Sequence, residues 1–242
     1  MPRVHAKAAD IFVDEWDFSG FSNAVDISVD NNLAEVTAFA DTDQTFVEGK
    51  AGFGITINGF YSRTDYDAEM WADLTAAARQ LGIYPPGVSD GDYGYEGQSI
   101  VTGQPRVADK GAAVTLNVNW KGDTPLVRAI VLDVNTALIA TGNGTAYQHG
   151  AVAAGQTIVG VLRVLSASGT LPTLTVIIQS DDNQAFTSPT TRLTFTGVTT
   201  SATYEVMMAA GAITDTWWRV SYTVGGTTPV YSVVVSFGIR PT

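Results

Sequence analysis

Apolar residues recur at every second position through much of this chain. Val25, Ile27 and Val29 alternate with Asp26 and Ser28, and Phe53, Ile55 and Ile57 repeat the pattern. Val114, Leu116, Val118 and Trp120 alternate with Thr115, Asn117 and Asn119. Further along stand Leu174, Val176 and Ile178; Leu193 and Phe195; Tyr204, Val206 and Met208; Trp218, Val220, Tyr222 and Val224; and Tyr231, Val233, Val235 and Phe237. A period of two puts one set of side chains on one face of a strand and its neighbours on the other. Short alternating runs broken by turns such as Gly225-Gly226 predict a mainly β chain, an antiparallel sandwich or barrel.

One segment breaks the period. In "TDYDAEMWADLTAAARQLG" the residues Tyr66, Met70, Leu74, Ala77 and Leu81 recur at spacings of four and three, which is a helical stripe. Thr64 or Asp65 is placed to cap it, Asp67 and Glu69 suit the first turn, Gly82 can close it and Pro85-Pro86 forbid its return. The spacing predicts one flanking α-helix over about residues 66–81, packed across a sheet. "PPGVSDGDYGYEG", from Pro85 to Gly97, reads as an acidic loop, and the Ala-, Gly- and Thr-rich stretch around His149 as a surface connection.

The chain has 242 residues, 45% of them hydrophobic and only 15% charged, which excludes a disordered chain and suits a surface that meets protein over much of its area. Its net charge of −11 is uneven. Up to Gly122 there are 18 Asp and Glu against 8 Lys and Arg; from Asp123 on there are 6 against 5. This break suggests a β-rich half over residues 1–122 with the helix, and a second β-rich half or outer sandwich over residues 123–242. An acidic first half argues against nucleic acid as a held ligand. No run approaches the roughly twenty apolar residues of a membrane helix, so no membrane partner is expected and the setting is the cytosol or a particle assembled there.

Chemistry finds little footing. With no cysteine and two histidines, His5 and His149, neither a thiolate nor a His-rich metal site can be built, and no Gly-x-Ser-x-Gly elbow accompanies His149. "DTDQTFVE" starts like a calcium loop but lacks the central Gly, and position twelve is Gly52. Asp90, Asp92 and Glu96 would share one side of an extended segment, yet a solvated acidic loop explains them better than a metal site does. Catalytic residues, cofactor and metal are therefore expected to be none. Trp217 points away from the inward series begun by Trp218, which makes it a candidate outer interface and, less readily, a sugar platform.

The stretch from Ala34 to Ser62, "AEVTAFADTDQTFVEGKAGFGITINGFYS", places an acidic and aromatic loop between two strands, ahead of the helix. This order resembles the tail tube (major tail) proteins of long-tailed bacteriophages, on Thr37, Phe39, Asp41, Gly52, Gly54, Gly59, Phe60 and Tyr61, best over residues 25–81. The resemblance implies a non-enzymatic virion protein whose partner is itself: homo-hexameric rings, stacked into a tube through which DNA passes without specific binding. It also implies other tail proteins as partners, and assembly in the host cytoplasm. The loop would then be the contact to the next ring, with Phe39, Phe46 and Phe53 as anchors among Asp41, Asp43 and Glu48. Asp26 and Asp30, on the polar side of the first strong strand, would be lumen-facing acids. A capsid decoration protein and a virion carbohydrate-binding sandwich are the competing readings.

Overall fold

The computed structural model describes residues 8–240 apart from Asn32, Asp41, Lys50 and Ser201. The first strands are β1 (Asp10–Val13), β2 (Trp16–Asp17), β3 (Ser22–Asp30), β4 (Leu33–Glu35), β5 (Phe46–Glu48) and β6 (Gly52–Phe60). The helix α1 (Tyr66–Asp73) follows, then β7 (Arg79–Tyr84), β8 (Tyr93–Gly103), β9 (Arg106–Val107), β10 (Thr115–Gly122) and β11 (Val127–Leu138). The remainder comprises β12 (Gly142–Asn143), β13 (Tyr147–Gln148), β14 (Thr157–Asp181), β15 (Thr190–Thr194), β16 (Thr203–Ala210) and β17 (Trp217–Arg240). The fold is mainly β with one helix, and the registered strand pairs are antiparallel.

Internal packing makes two units, and the cut is not the one expected between residues 122 and 123. The larger unit draws its described residues from Met1–Ser19, Leu81–Glu96 and Val127–Thr242; the smaller spans Gly20–Gln80 and Gly97–Leu126. The reason is pairing: β1 takes β7 as its partner, and residues 93–96 of β8 pair with β11, so early segments belong with late ones.

In the smaller unit β3, β6, β10 and the end of β8 lie side by side. Alternation in β6 works as the sequence predicts: Phe53, Ile55 and Ile57 are buried while Gly54, Thr56 and Asn58 are half-buried. Leu116, Val118 and Trp120 share the buried face, and Tyr66 and Met70 of α1 are fully buried with them. The Tyr66 ring stacks on Phe21, 6.2 Å between centroids. The helix is shorter than its sequence suggests. It ends at Asp73, leaving Leu74 and Ala77 exposed, while Leu81 and Gly82 belong to β7. Ala-rich helix propensity amounts to tenths of a kcal/mol per residue. Pairing with β1 instead buries Leu81, Ile83 and Tyr84 completely, and burial wins.

The larger unit rests on two long strands. β14 and β17 pair from Thr157↔Arg240 to Asp181↔Trp217, with register shifts near residues 164–173. At this bend Gly169 (φ +118°) and Gly226 (φ +104°) take left-handed conformations, and a Cβ on either would meet backbone within 3 Å. Residues on both sides of these register shifts pack together. Ile158, Leu162, Val164, Val233, Val235 and Phe237 thus share one core with Leu174, Val176, Ile178, Trp218, Val220 and Tyr222. β16 departs from the expected pattern: Met208 is half exposed, Met207 and Ala209 pack on this core, and Val206 joins Val127, Val159 and Val161. A two-sided apolar run, "VMMAA", gives the period nothing to choose between.

Candidate functional site

β3 and β6 are joined by a second, smaller hairpin that carries the chain away from the sheet. β4 and β5 pair Leu33↔Glu48, Ala34↔Val47 and Glu35↔Phe46, beyond the last pair of the main sheet, Asp30↔Gly52. The stretch expected as a loop is therefore an arm with its own ladder. Val36 N–H donates to the Thr45 carbonyl at 2.9 Å, Thr45 N–H to Thr37 Oγ1 at 3.0 Å, and Thr37 Oγ1 to Glu35 Oε1 at 3.0 Å. These bonds fix the neck of the tip around Phe39.

The described residues from Leu33 to Val47 are all exposed. Leu33 is 56% exposed, Phe46 51%, Val47 54%, and Phe39 stands fully in solvent. A lone two-stranded hairpin is marginal in water, and nothing in the arm buries its own apolar groups. Each would contribute about 1.5–3 kcal/mol if covered. Between residues 31 and 49 the sequence holds four acids and no Lys or Arg.

The expected contact residues separate accordingly. Phe39, Phe46 and the exposed Asp43 lie on the arm; Asp41 lies outside the described residues, and of Glu48 only the backbone, paired with Leu33, is described. Phe53 is a correction. It is 2% exposed, its ring seated where Gly97 and Gly122 leave room: a Cβ on them would lie 2.7 and 2.3 Å from it. It is a core residue because its place in β6 matches Ile55 and Ile57, not because it follows the loop. Sequence reading missed Leu33, Val36 and Val47, which look like interior strand positions until the absence of a covering layer is visible.

Asp26 and Asp30 stand exposed on the polar face of the smaller unit's sheet. Register aligns Asp26 with Thr56 and Asn119, and Ala24 with Asn58 and Asn117, so this face presents hydroxyls, amides and carboxylates. Thr56 Oγ1 donates to Asn119 Oδ1 at 3.1 Å. Trp217 is half-buried, opposite Asp181 and Gln148. Beside it Arg219 lies over the Phe186 ring at 4.2 Å and bonds Gln179 Oε1 at 3.0 Å, so the loop after β14 covers part of that side.

The remaining chemical candidates disperse. Asp90 Oδ1 accepts from Val134 N–H at 2.7 Å, while Glu96 is buried against Arg163, so the evenly spaced acids do not converge. Among the described residues, no three His, Asp or Glu side chains are grouped to hold a metal ion. His149 sits between the rings of Tyr93 and Phe237, 5.8 and 5.5 Å away; burial, and then Arg128, pull its pKa down. His5 lies outside the described residues.

A polar knot in the larger unit was not legible at all. Arg163, 0% exposed, donates from Nη1 and Nη2 to the two oxygens of Glu96 at 2.6 and 2.9 Å, and from Nε to the Asp14 carbonyl at 2.8 Å. Ser236 Oγ and the Tyr84 hydroxyl donate to the same carboxylate. Burial works against the Arg163 charge, but Glu96 overrides it and holds the guanidinium above its ordinary pKa; burial, then Glu96, pushes the Tyr84 phenol up. With each partner satisfied and none reaching solvent, the knot is structural.

No family model matches the chain, and no curated protein matches it. Among solved structures it is similar to a chain of the virion of a native gene transfer agent particle, at 14% identity and a TM-score of 0.44, over 52% of this chain and 98% of that one. It is also similar to the SPP1 tail tube protein, at 6% identity and a TM-score of 0.43, over 52% and 78% of the two chains. A third likeness is to the SPP1 Dit protein, a hub of the adsorption apparatus of phages that infect Gram-positive bacteria. There the identity is 10% and the TM-score 0.40, over 96% and 99%.

Proposed function

We propose that this chain is a structural protein of a phage tail, a tube subunit that self-assembles into stacked six-membered rings through which DNA passes. The observation that supports this most is the arm, a hairpin whose apolar side chains have no cover among the described residues. Assembly would bury them, and the acids beside them would restrict which surface they meet. The polar face carrying Asp26 and Asp30 suits a channel wall, since carboxylates repel phosphate and amides remain solvated. The role involves no catalytic step, and its partners are further copies of the chain and other tail proteins in the virion.

The test is electron microscopy of the purified chain over a range of concentrations, beside a variant with residues 36–45 replaced by a short Gly-Ser turn. Tubes or stacked six-fold rings from the parent, and a folded, non-assembling variant, are the expected outcomes. Normal tubes from the shortened chain would remove the arm from the account. A parent that forms only monomers or trimers at high concentration would overturn the reading.

A further inference from the structure

The two long strands of the larger unit carry the same four-residue pattern at the same place. Gly169-Thr170-Leu171-Pro172 lies in β14 and Gly226-Thr227-Thr228-Pro229 in β17, each residue 57 positions after its counterpart. The backbone repeats too. Both glycines take positive φ, +118° and +104°, and so do Leu171 and Thr228, each at +48°. Pairing has the same symmetry. Thr170 faces Thr227; on one side of them lie Ala167↔Tyr231 and Ser168↔Val230, and on the other their images, Leu174↔Val224 and Thr173↔Gly225. The Thr170↔Thr227 pair thus sits on a local two-fold axis. Here both strands double back on themselves. In a straight strand Gly160 and Ile178 of β14 would stand about 60 Å apart, yet a Cβ at Gly160 would lie 2.8 Å from Ile178 Cδ1. In β17 the rings of Trp218 and Phe237 stack with centroids 4.2 Å apart.

We infer that the two patterns form one conformational device, a two-fold clasp that folds the β14–β17 ribbon onto itself in a single step. Each glycine is a seat for the other strand. A Cβ at Gly169 would lie 2.8 Å from the Thr228 carbonyl oxygen and 2.9 Å from Pro229 Cα; a Cβ at Gly226 would lie 2.6 Å from the Leu171 carbonyl oxygen and 2.9 Å from Pro172 Cα. A left-handed backbone at a bulky or β-branched residue is strained and persists only where its surroundings impose it. No core imposes it here, since Gly169, Thr170, Leu171, Gly226, Thr227 and Thr228 are all exposed. The opposite strand does. In each strand a single threonine separates the glycine that receives from the residue that is received. Gly169 therefore moves with Leu171, Leu171 rests on Gly226, and Gly226 moves with Thr228, which rests on Gly169. A displacement at one seat is handed to the other. Opening the clasp would uncover Ile178, Trp218 and Phe237, all fully buried, so the ribbon is either doubled with its core closed or open along its length.

Two measurements on the full chain test the clasp. Native-state hydrogen exchange, followed residue by residue by NMR over rising urea, needs no substitution. Amides of residues 166–168 and 230–232, on one side of the axis, and of 173–175 and 223–225, on the other, are expected to share one opening curve and one slope. Two separate curves would show two independent bulges and would overturn the proposal. Gly169→Ala, Gly226→Ala and the double variant are then compared by urea unfolding. Either single change is expected to lower the midpoint. The double variant should lie close to the worse single one, because a clasp already opened has little left to lose. Losses that simply add would also overturn the proposal. Where an alanine prevents folding, the exchange curves of the parent chain decide alone.

Discussion

Arg163 without Glu96 would be a buried cation that has lost its two-pronged carboxylate partner, and this sets the cost of losing it. Removing one member of such a pair typically costs about 3–5 kcal/mol. Glu96→Gln is therefore expected to lower the denaturant midpoint by that scale with an unchanged slope, measured by urea unfolding. Gly82 belongs to the same knot: a Cβ there would lie 2.9 Å from both Arg163 Nη2 and Glu96 Oε1, which is why a glycine sits in mid-strand. None of this could be read beforehand. Glu96 reads as one acid of a solvated loop, Arg163 belongs to no motif, and 67 positions separate them. His149 gives a pH test. Its pKa is depressed in the folded chain, so the unfolded chain binds the proton more readily. The stability it confers is complete above its ordinary value of 6.5 and is lost as pH falls through the folded value. Thermal unfolding followed across this range should fall with pH, and less steeply in His149→Gln.

At the scale of elements, legibility followed burial on one face. β6, β10, residues 174–178 of β14 and residues 218–222 of β17 read correctly because each has one buried face and one wetter face, the condition that period two reports. β16 did not, being apolar on both sides, and residues 79–84 did not, because a helical pattern is overruled when a distant strand offers complete burial. The arm was legible as aromatics among acids, but where it stopped was not, and so Phe53 was grouped with Phe39. Two truncations separate them. Phe53→Ala should destabilise the subunit by about 3–5 kcal/mol, whereas Phe39→Ala should stay within about 0.5 kcal/mol of the parent and lose assembly instead. Urea unfolding and light scattering on the same samples check both halves of that statement.

For the whole molecule, the charge break in the sequence does not mark which segments pack together. A shift in charge along the sequence marks composition, whereas units are set by which strands pair, and β1, β7 and the start of β8 pair with partners in the larger unit. A fragment of residues 123–242 would lack Tyr84, Glu96 and the Asp14 carbonyl that complete the Arg163 knot. It is expected to melt broadly and to bind a hydrophobic dye, whereas the full chain should not; calorimetry and dye fluorescence decide the matter. The position of β17 also bears on how the protein is made. It pairs with β11, β12, β13 and β14, so it forms the middle of its sheet, yet it follows all four in sequence. On the ribosome, residues 217–240 emerge after β11 has waited on the order of ten seconds at 5–20 residues per second. The smaller unit can close once residue 126 has left the exit tunnel, while the larger one holds unpaired apolar strands until its keystone arrives. The chief hazard of its synthesis therefore falls in that interval, while those strands stand open to sister chains.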